Sequence, residues 1–218
     1  MCGRAWQSIT GAEMKRLFGV DLPVGFVPRY NLAPTQELLM VYDDDGRQAR
    51  MARWGLIASP DQPKTLSTFN ARAETVDRSP VFREAFRTRR ALIPISGAYE
   101  WIGEKKDRRP LAITRADGKP LVCAGLWNEL DGVTSCTILT TAPAGLFTEI
   151  HDRMPLLLPQ DRWAAWLNPA TSLAAVQSLL APHDLHRALH AYPVDPAVGN
   201  VRNDRAEFIL PLSASLGA

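Results

Sequence analysis

Cysteine is scarce in this chain of 218 residues: there are three, at positions 2, 123 and 136, with no CxxC spacing among them. An odd, scattered set excludes a complete disulfide framework and argues against a structural zinc site. Lysine is scarce as well, supplying 5 of the 25 basic residues, so the positive charge is almost entirely guanidinium. No apolar run approaches the ~18 residues that a membrane span needs, and the opening Met-Cys-Gly-Arg-Ala-Trp-Gln has no apolar secretion core. A cytoplasmic protein without membrane contact is therefore expected. Internal repeats, low-complexity segments and a βαβ rhythm are all missing, which sets aside solenoids, disordered linkers and doubly wound parallel sheets. His183, His186 and His190 fall in a polar C-terminal stretch that does not read as a metal site, so neither metal nor cofactor is expected.

What is present suits one soluble globular core: 46% of residues are hydrophobic and 22% charged, and a single domain over residues 1–218 is expected. The net charge of +2 conceals an asymmetry. Residues 1–120 carry 20 Lys/Arg against 14 Asp/Glu, or +6, and the remainder carries 5 against 9, or −4. A basic face for a polyanion is allowed but not demanded. Thr10 with Glu13 forms a capping box that starts a short helix ending at Gly19, and Ser79-Pro80 predicts another, with Phe82 and Phe86 one turn apart. Two more helices follow Pro159 and Asn168. Asp-Gly pairs at 45-46, 117-118 and 131-132, each between β-prone segments, predict tight hairpins. Strands are expected at 38–42, 50–56, 91–101 with a break near Ser96-Gly97, 111–114, 121–127, 133–141 and 190–194. The fold class is α+β, with a mixed, mostly antiparallel, barrel-like core and short flanking helices.

Cys123 and Cys136 lie in apolar runs and read as core, whereas Cys2 does not. Residue 2 is small, a setting in which the initiator methionine is commonly removed, and removal leaves Cys2 with an α-amine beside its thiol. An α-amine of pKa ~7.7–8.0 is roughly 10 to 20% free base at pH 7, whereas a lysine near ~10.4 is under ~0.1%. The N-terminal amine is thus the natural Schiff-base former, and the neighbouring thiol can close a five-membered thiazolidine that lysine cannot make. Gly3 permits close approach of a ligand to the backbone. On this basis alone, an N-terminal nucleophile amidase or glutaminase fits equally well, and a DNA-binding module without chemistry is a third reading.

Longer motifs separate these readings. Arg29-Tyr30-Asn31-Leu32-Ala33-Pro34-Thr35, Phe69-Asn70-Ala71-Arg72-Ala73-Glu74-Thr75, Tyr99-Glu100-Trp101 and Ile150-His151-Asp152-Arg153-Met154-Pro155 stand in that order after Met-Cys-Gly-Arg. With Arg53-Trp54-Gly55-Leu56, Ala124-Gly125-Leu126-Trp127 and Thr140-Thr141-Ala142, they resemble the SRAP family of SOS-response-associated peptidases, or abasic-site processing proteins, from residue 1 to about residue 205. The resemblance implies a self-crosslinking protein of the DNA damage response. It would bind abasic (AP) sites in single-stranded DNA, or at junctions with duplex, and form a single-turnover thiazolidine link through Cys2. The peptidase label would then refer to removal of the leading residue or release of the link. A monomer is expected.

The same matching implies Asn70, Glu100 and His151 as catalytic companions of Cys2. Arg4, Arg72 and Arg153 become phosphate binders, with Trp101 and Thr141 also on the DNA side. The residue chemistry agrees. Glu100 alternates with two aromatics along a strand, and a carboxylate in an apolar setting has a raised pKa suited to moving protons. His151, with Asp152 or a backbone carbonyl setting its tautomer, can assist opening of the closed sugar. Asn70 offers donors and an acceptor for the Cys2 amine or a sugar hydroxyl, and Arg72, two residues on, shares its face. Arginine suits bidentate phosphate contact, which positions a strand without reading its bases. Trp101 can stack on a base, whereas Trp54, Trp127, Trp163 and Trp166 read as packing. The chain departs from the family pattern at Ile57-Ala58-Ser59-Pro60, Ala91, Ala98 and Gly199, where packing or loop shape is expected to change and the chemistry is not.

Overall fold

The computed structural model describes residues 2–62, 67–104, 107–181 and 184–212; Met1 and His183, both weighed above, lie outside them. The first half of the chain forms β1 (Ala5–Gln7), α1 (Gly11–Phe18), β2 (Arg29–Leu32), β3 (Glu37–Asp43), β4 (Arg47–Trp54), β5 (Asn70–Arg72), α2 (Arg83–Thr88), β6 (Arg90–Ile95) and β7 (Gly97–Ile102). The second half forms β8 (Arg109–Arg115), β9 (Leu121–Leu130), β10 (Val133–Thr141), α3 (Phe147–Ile150), β11 (Met154–Pro155), α4 (Trp163–Leu167), α5 (Leu173–Leu179) and β12 (Leu189–Pro193).

Strands β4, β3, β6, β9 and β10 run side by side and antiparallel, and β10 closes the ring by pairing parallel to β4 through Ser135 with Arg53 and Cys136 with Trp54. This is a closed five-stranded barrel, and the fold is α+β as expected. A second antiparallel sheet has the order β12-β8-β7-β1-β2. Alternation decides what fills the barrel. On β3, Leu38, Met40 and Tyr42 cluster with Trp54, Ile93, Cys123, Cys136 and Ile138 from the other four strands. Leu39 and Val41 point the opposite way and pack under α1, α2, α4 and α5, where Phe18 stacks on Trp163 at 4.8 Å. Helices do not fit inside so narrow a ring, so the first cluster is the interior.

Asp45 and Gly46 have φ of 51° and 113°, and Asp131 and Gly132 have 51° and 76°, the positive pairs that a tight hairpin turn requires. Both form as predicted. The pair at 117-118 does not make a hairpin, because β8 pairs with β7 and β12, and β9 with β6 and β10. There Arg115 clasps Asp117 through bonds of 2.8 and 2.7 Å, and the turn hands the chain from one sheet to the other before Pro120. The Thr10 capping box and Gly19, at φ 74°, bound α1 as read. By contrast, α2 begins at Arg83 rather than at Pro80, and the residues before it form a turn in which Ser79 O accepts from Phe82 N and Arg83 N at 3.1 and 2.9 Å.

Candidate active site

The N-terminal segment is fixed along β7. Ala5 pairs with Ala98, and Tyr99 N donates to Arg4 O at 2.9 Å. Gly97 makes this possible: a Cβ there would lie 2.0 Å from Trp6 Cη2, so only glycine lets the indole lie across β7. Cys2, just upstream, is 1% exposed and joins the barrel-interior cluster with Ala98, Ile138 and Met154, so it is as buried as the two core cysteines. Asn70 reaches it from another strand. As the first residue of β5, in register with Ile138 of β10, Asn70 donates through Nδ2 to Cys2 O at 2.8 Å. Its Oδ1 is buried with no hydrogen-bond partner among the described residues, leaving an acceptor beside the Cys2 backbone.

Along β7, Tyr99 turns toward Trp6, Ala112 and Phe208, with Trp101 packed at the edge of that cluster. Glu100 therefore faces the other way, the side on which Ala98 meets Cys2. It is 7% exposed. Burial is the main cause that raises its carboxyl from 4.5 to about 7; the charge of Asp152 adds to this and Arg108 opposes it. Burial likewise pushes the Cys2 thiol up to about 12, with the Glu100 charge contributing, an interaction that puts the two groups in one electrostatic neighbourhood. His151 ends α3, which packs on β7. Its Nδ1 lies 2.6 Å from Asp152 Oδ1, one of the two partners expected to orient the ring, and 3.0 Å from Arg153 N. Burial lowers the His151 pKa, keeping the ring neutral at cellular pH. The centre thus holds a protonated thiol, a neutral imidazole and a carboxyl divided between its two forms.

The arginines differ in availability. Arg72 is exposed on β5, on the Asn70 face as expected, and has no side-chain partner among the described residues. Arg4 is committed: Nη1 donates to Asn31 Oδ1 at 2.7 Å and Val198 O at 2.6 Å, Nη2 donates to Gly199 O at 3.2 Å, and the guanidinium lies 5.3 Å from the centre of the Trp101 ring. It ties the N-terminal segment to the turn at Pro196–Gly199 and covers one side of half-buried Trp101. Arg153 is committed as well, binding both carboxylate oxygens of Glu74 at 2.8 Å and Thr140 O at 2.6 Å. Thr141, half-buried and in register with Met154, lines a small apolar pocket of about 100 Å³ with Met154, Leu156 and His186.

A family model described as SOS response associated peptidase (SRAP) matches residues 1–201. This chain belongs to the SRAP family. Abasic site processing protein YoqW of Bacillus subtilis is 36% identical over 96% of this SRAP chain and 99% of its own. Abasic site processing protein YedK of Escherichia coli is 31% identical over 97% and 100%. A crystal structure of a protein from Bordetella bronchiseptica matches with a TM-score of 0.78 at 26% identity, covering 89% of this chain and all of that one.

Within the SRAP chain, the fold gathers Cys2, Asn70, Glu100 and His151 around the N-terminal segment, and Arg72, Arg153 and Thr141 at the end of β10. Sequence reasoning passed over Asn31 and Glu74, although both stand inside quoted motifs. Asn31 is fully buried, accepting from Arg4 and donating through Nδ2 to Val198 O, Asn200 O and Asn203 O. Its signal was a polar residue amid the apolar positions of Tyr-Asn-Leu-Ala.

Proposed function

We propose that this SRAP chain captures AP sites in single-stranded DNA covalently, through the α-amine and thiol that Cys2 carries once Met1 is removed. The observation that carries this reading is Glu100, a buried carboxyl near pKa 7 on the side of β7 that faces Cys2. The amine nitrogen attacks the aldehyde carbon of the opened sugar while Glu100 takes a proton from it. Glu100 delivers that proton to the former carbonyl oxygen, giving a hydroxyl, and then relays the second nitrogen proton to this hydroxyl, which leaves as water and gives an imine. The Cys2 sulfur then adds to the imine carbon and its proton passes to nitrogen, closing a thiazolidine with one water lost overall. Burial keeps the Cys2 thiol protonated, so its proton must pass to the imine nitrogen as sulfur attacks, which activates both partners of the closure. Asn70 holds the Cys2 backbone and offers Oδ1 to the amine. Neutral His151 exchanges the proton needed to open the hemiacetal. Arg72 and Arg153 bind backbone phosphate, and Arg4 supports Trp101 from one side. The names of the curated relatives, abasic site processing proteins, agree with this substrate.

The test is a denaturing gel of processed protein mixed with a single-stranded oligonucleotide bearing one AP site. A shifted band that survives heat without added reductant is expected. No band, or an equal band with undamaged oligonucleotide, refutes the proposal. Ammonia release from glutamine would instead favour the amidase reading.

A further inference from the structure

Arg153 presents a guanidinium fork whose two ends are already bound to one carboxylate, Nη1 to Glu74 Oε1 and Nη2 to Glu74 Oε2, both at 2.8 Å. This parallel two-bond geometry is the one in which arginine binds a phosphate. The rest of the guanidinium is inaccessible: Nη2 also donates to Thr140 O, and Nε is buried without a partner among the described residues. The Arg153 side chain is 14% exposed, whereas that of Glu74 is 48% exposed. An incoming anion therefore meets Glu74 before it meets Arg153. The Glu74 backbone lies in a turn anchored to β10, with Ala73 N donating to Thr140 O at 2.9 Å and Thr75 N to Arg72 O at 3.1 Å; backbone groups of Ala142 and of Glu74 itself also bind the carboxylate, and a swing outward exchanges these contacts for water without moving the strand. Arg72, two residues away, is exposed and has no side-chain partner among the described residues.

We infer that Glu74 acts as an internal stand-in for phosphate, occupying Arg153 when no DNA is bound and holding down the affinity for undamaged strands. This deepens the proposed function and rests on it. A backbone phosphate gains Arg153 only by displacing Glu74, so Arg72 supplies the first contact and Arg153 the exchangeable one. The hydrogen bond to Arg153 is the main cause that lowers the Glu74 pKa, which keeps the stand-in ionised at cellular pH. A protein that must scan intact single strands and hold only damaged ones benefits from a weak reversible step followed by a covalent one.

The experiment measures non-covalent binding to an undamaged single-stranded oligonucleotide by fluorescence anisotropy across a salt series. Glu74→Gln keeps the size but removes the charge and one of the two acceptor oxygens, so the grip on Arg153 is loosened. Expected is tighter binding at low salt, by about threefold or more, with the salt slope steeper by about 0.7, one phosphate on a single strand. In an Arg153→Gln background the same change at position 74 should have no effect, since Glu74 acts through Arg153. A structural strut predicts the reverse: weaker binding and a lower melting temperature in E74Q, both persisting in the double variant. That outcome, or unchanged affinity in E74Q while wild type binds, overturns the inference. Absence of binding by wild type and E74Q alike overturns the DNA reading beneath it, and the inference with it.

Discussion

Glu100→Gln is expected to stabilise the folded protein above neutral pH while removing most of its crosslinking activity. Burial raises the folded carboxyl to about 7 from an ordinary 4.5. Between those values the native state holds a proton that the unfolded chain has released, so unfolding free energy falls as pH rises through the window and levels off above the folded pKa. A gap of that width, at about 1.4 kcal/mol per tenfold, corresponds to about 3 kcal/mol of native-state destabilisation at pH 8. Glutamine has the same shape and no charge to desolvate, so the variant escapes this penalty. His151 also titrates in the neighbourhood, but it is present in both proteins and cancels in their difference. Urea denaturation from pH 4.5 to 8.5 reads the effect directly: the stability of the variant minus that of wild type should climb from near zero to about 3 kcal/mol. In parallel, crosslinking should slow by roughly 10²-fold or more with single-strand affinity retained, because only the proton shuttle is lost. A difference that stays flat with pH would refute the burial of an ionisable carboxyl, and equal losses of affinity and rate would make Glu100 a structural residue.

Three further outcomes follow from the same geometry. Cys2→Ala, with Met1 removed, should give little heat-stable adduct yet yield a Schiff base that borohydride traps on an AP oligonucleotide, whereas protein with a blocked N-terminus should give neither; rapid crosslinking by the blocked form would move the nucleophile elsewhere. Arg72→Ala should weaken strand binding and reduce the salt slope by about 0.7, and capture that stays slow at saturating DNA would place Arg72 in the chemistry instead. Arg90→Met should destabilise by about 3 kcal/mol or more in chemical denaturation. The buried guanidinium donates to the carbonyls of Phe86, Arg87, Trp166 and Asn168, the last two at 2.6 Å, and methionine leaves all four without that donor. A loss under 1 kcal/mol would mean those helix ends are satisfied some other way.

How far the sequence could be read depends on the length of each element. The barrel strands β3, β4, β6, β9 and β10 span six to ten residues, enough for a β-prone run bounded by turn signals to show, and each was anticipated to within a few residues. β7, which carries Glu100, was within the expected 91–101 segment, but the other strands around the site, β1, β2, β5 and β11, span two to four residues. No period can be seen in so few positions, and none of the four was predicted as a strand. They exist because a distant partner supplies the ladder, as when Asn70, Ala71 and Arg72 add to the end of β10. The Asp-Gly pair at 117-118 failed for a related reason: a turn residue specifies a local reversal, and only tertiary pairing decides whether the next strand returns to its neighbour.

The residues proposed for the site could nonetheless be named together from the sequence, because family motifs supply identity without geometry. Motifs supply no charge balance, and the arginines show the consequence. Arg4, Arg72 and Arg153 looked equivalent as phosphate binders, yet Arg4 is spent on carbonyls nearly two hundred residues away and Arg153 on a carboxylate 79 residues away. Arg90, deep between α2 and α4, gave no signal as a helix-end donor, because its partners are backbone carbonyls that every sequence possesses. A guanidinium is a fork with a fixed number of donors, so its function is set by how many remain unclaimed in the fold. By that measure, among the described residues, Arg72 has an open guanidinium, Arg153 is the one we propose to be exchangeable, and Arg4 is a brace that holds the N-terminal segment beside Cys2.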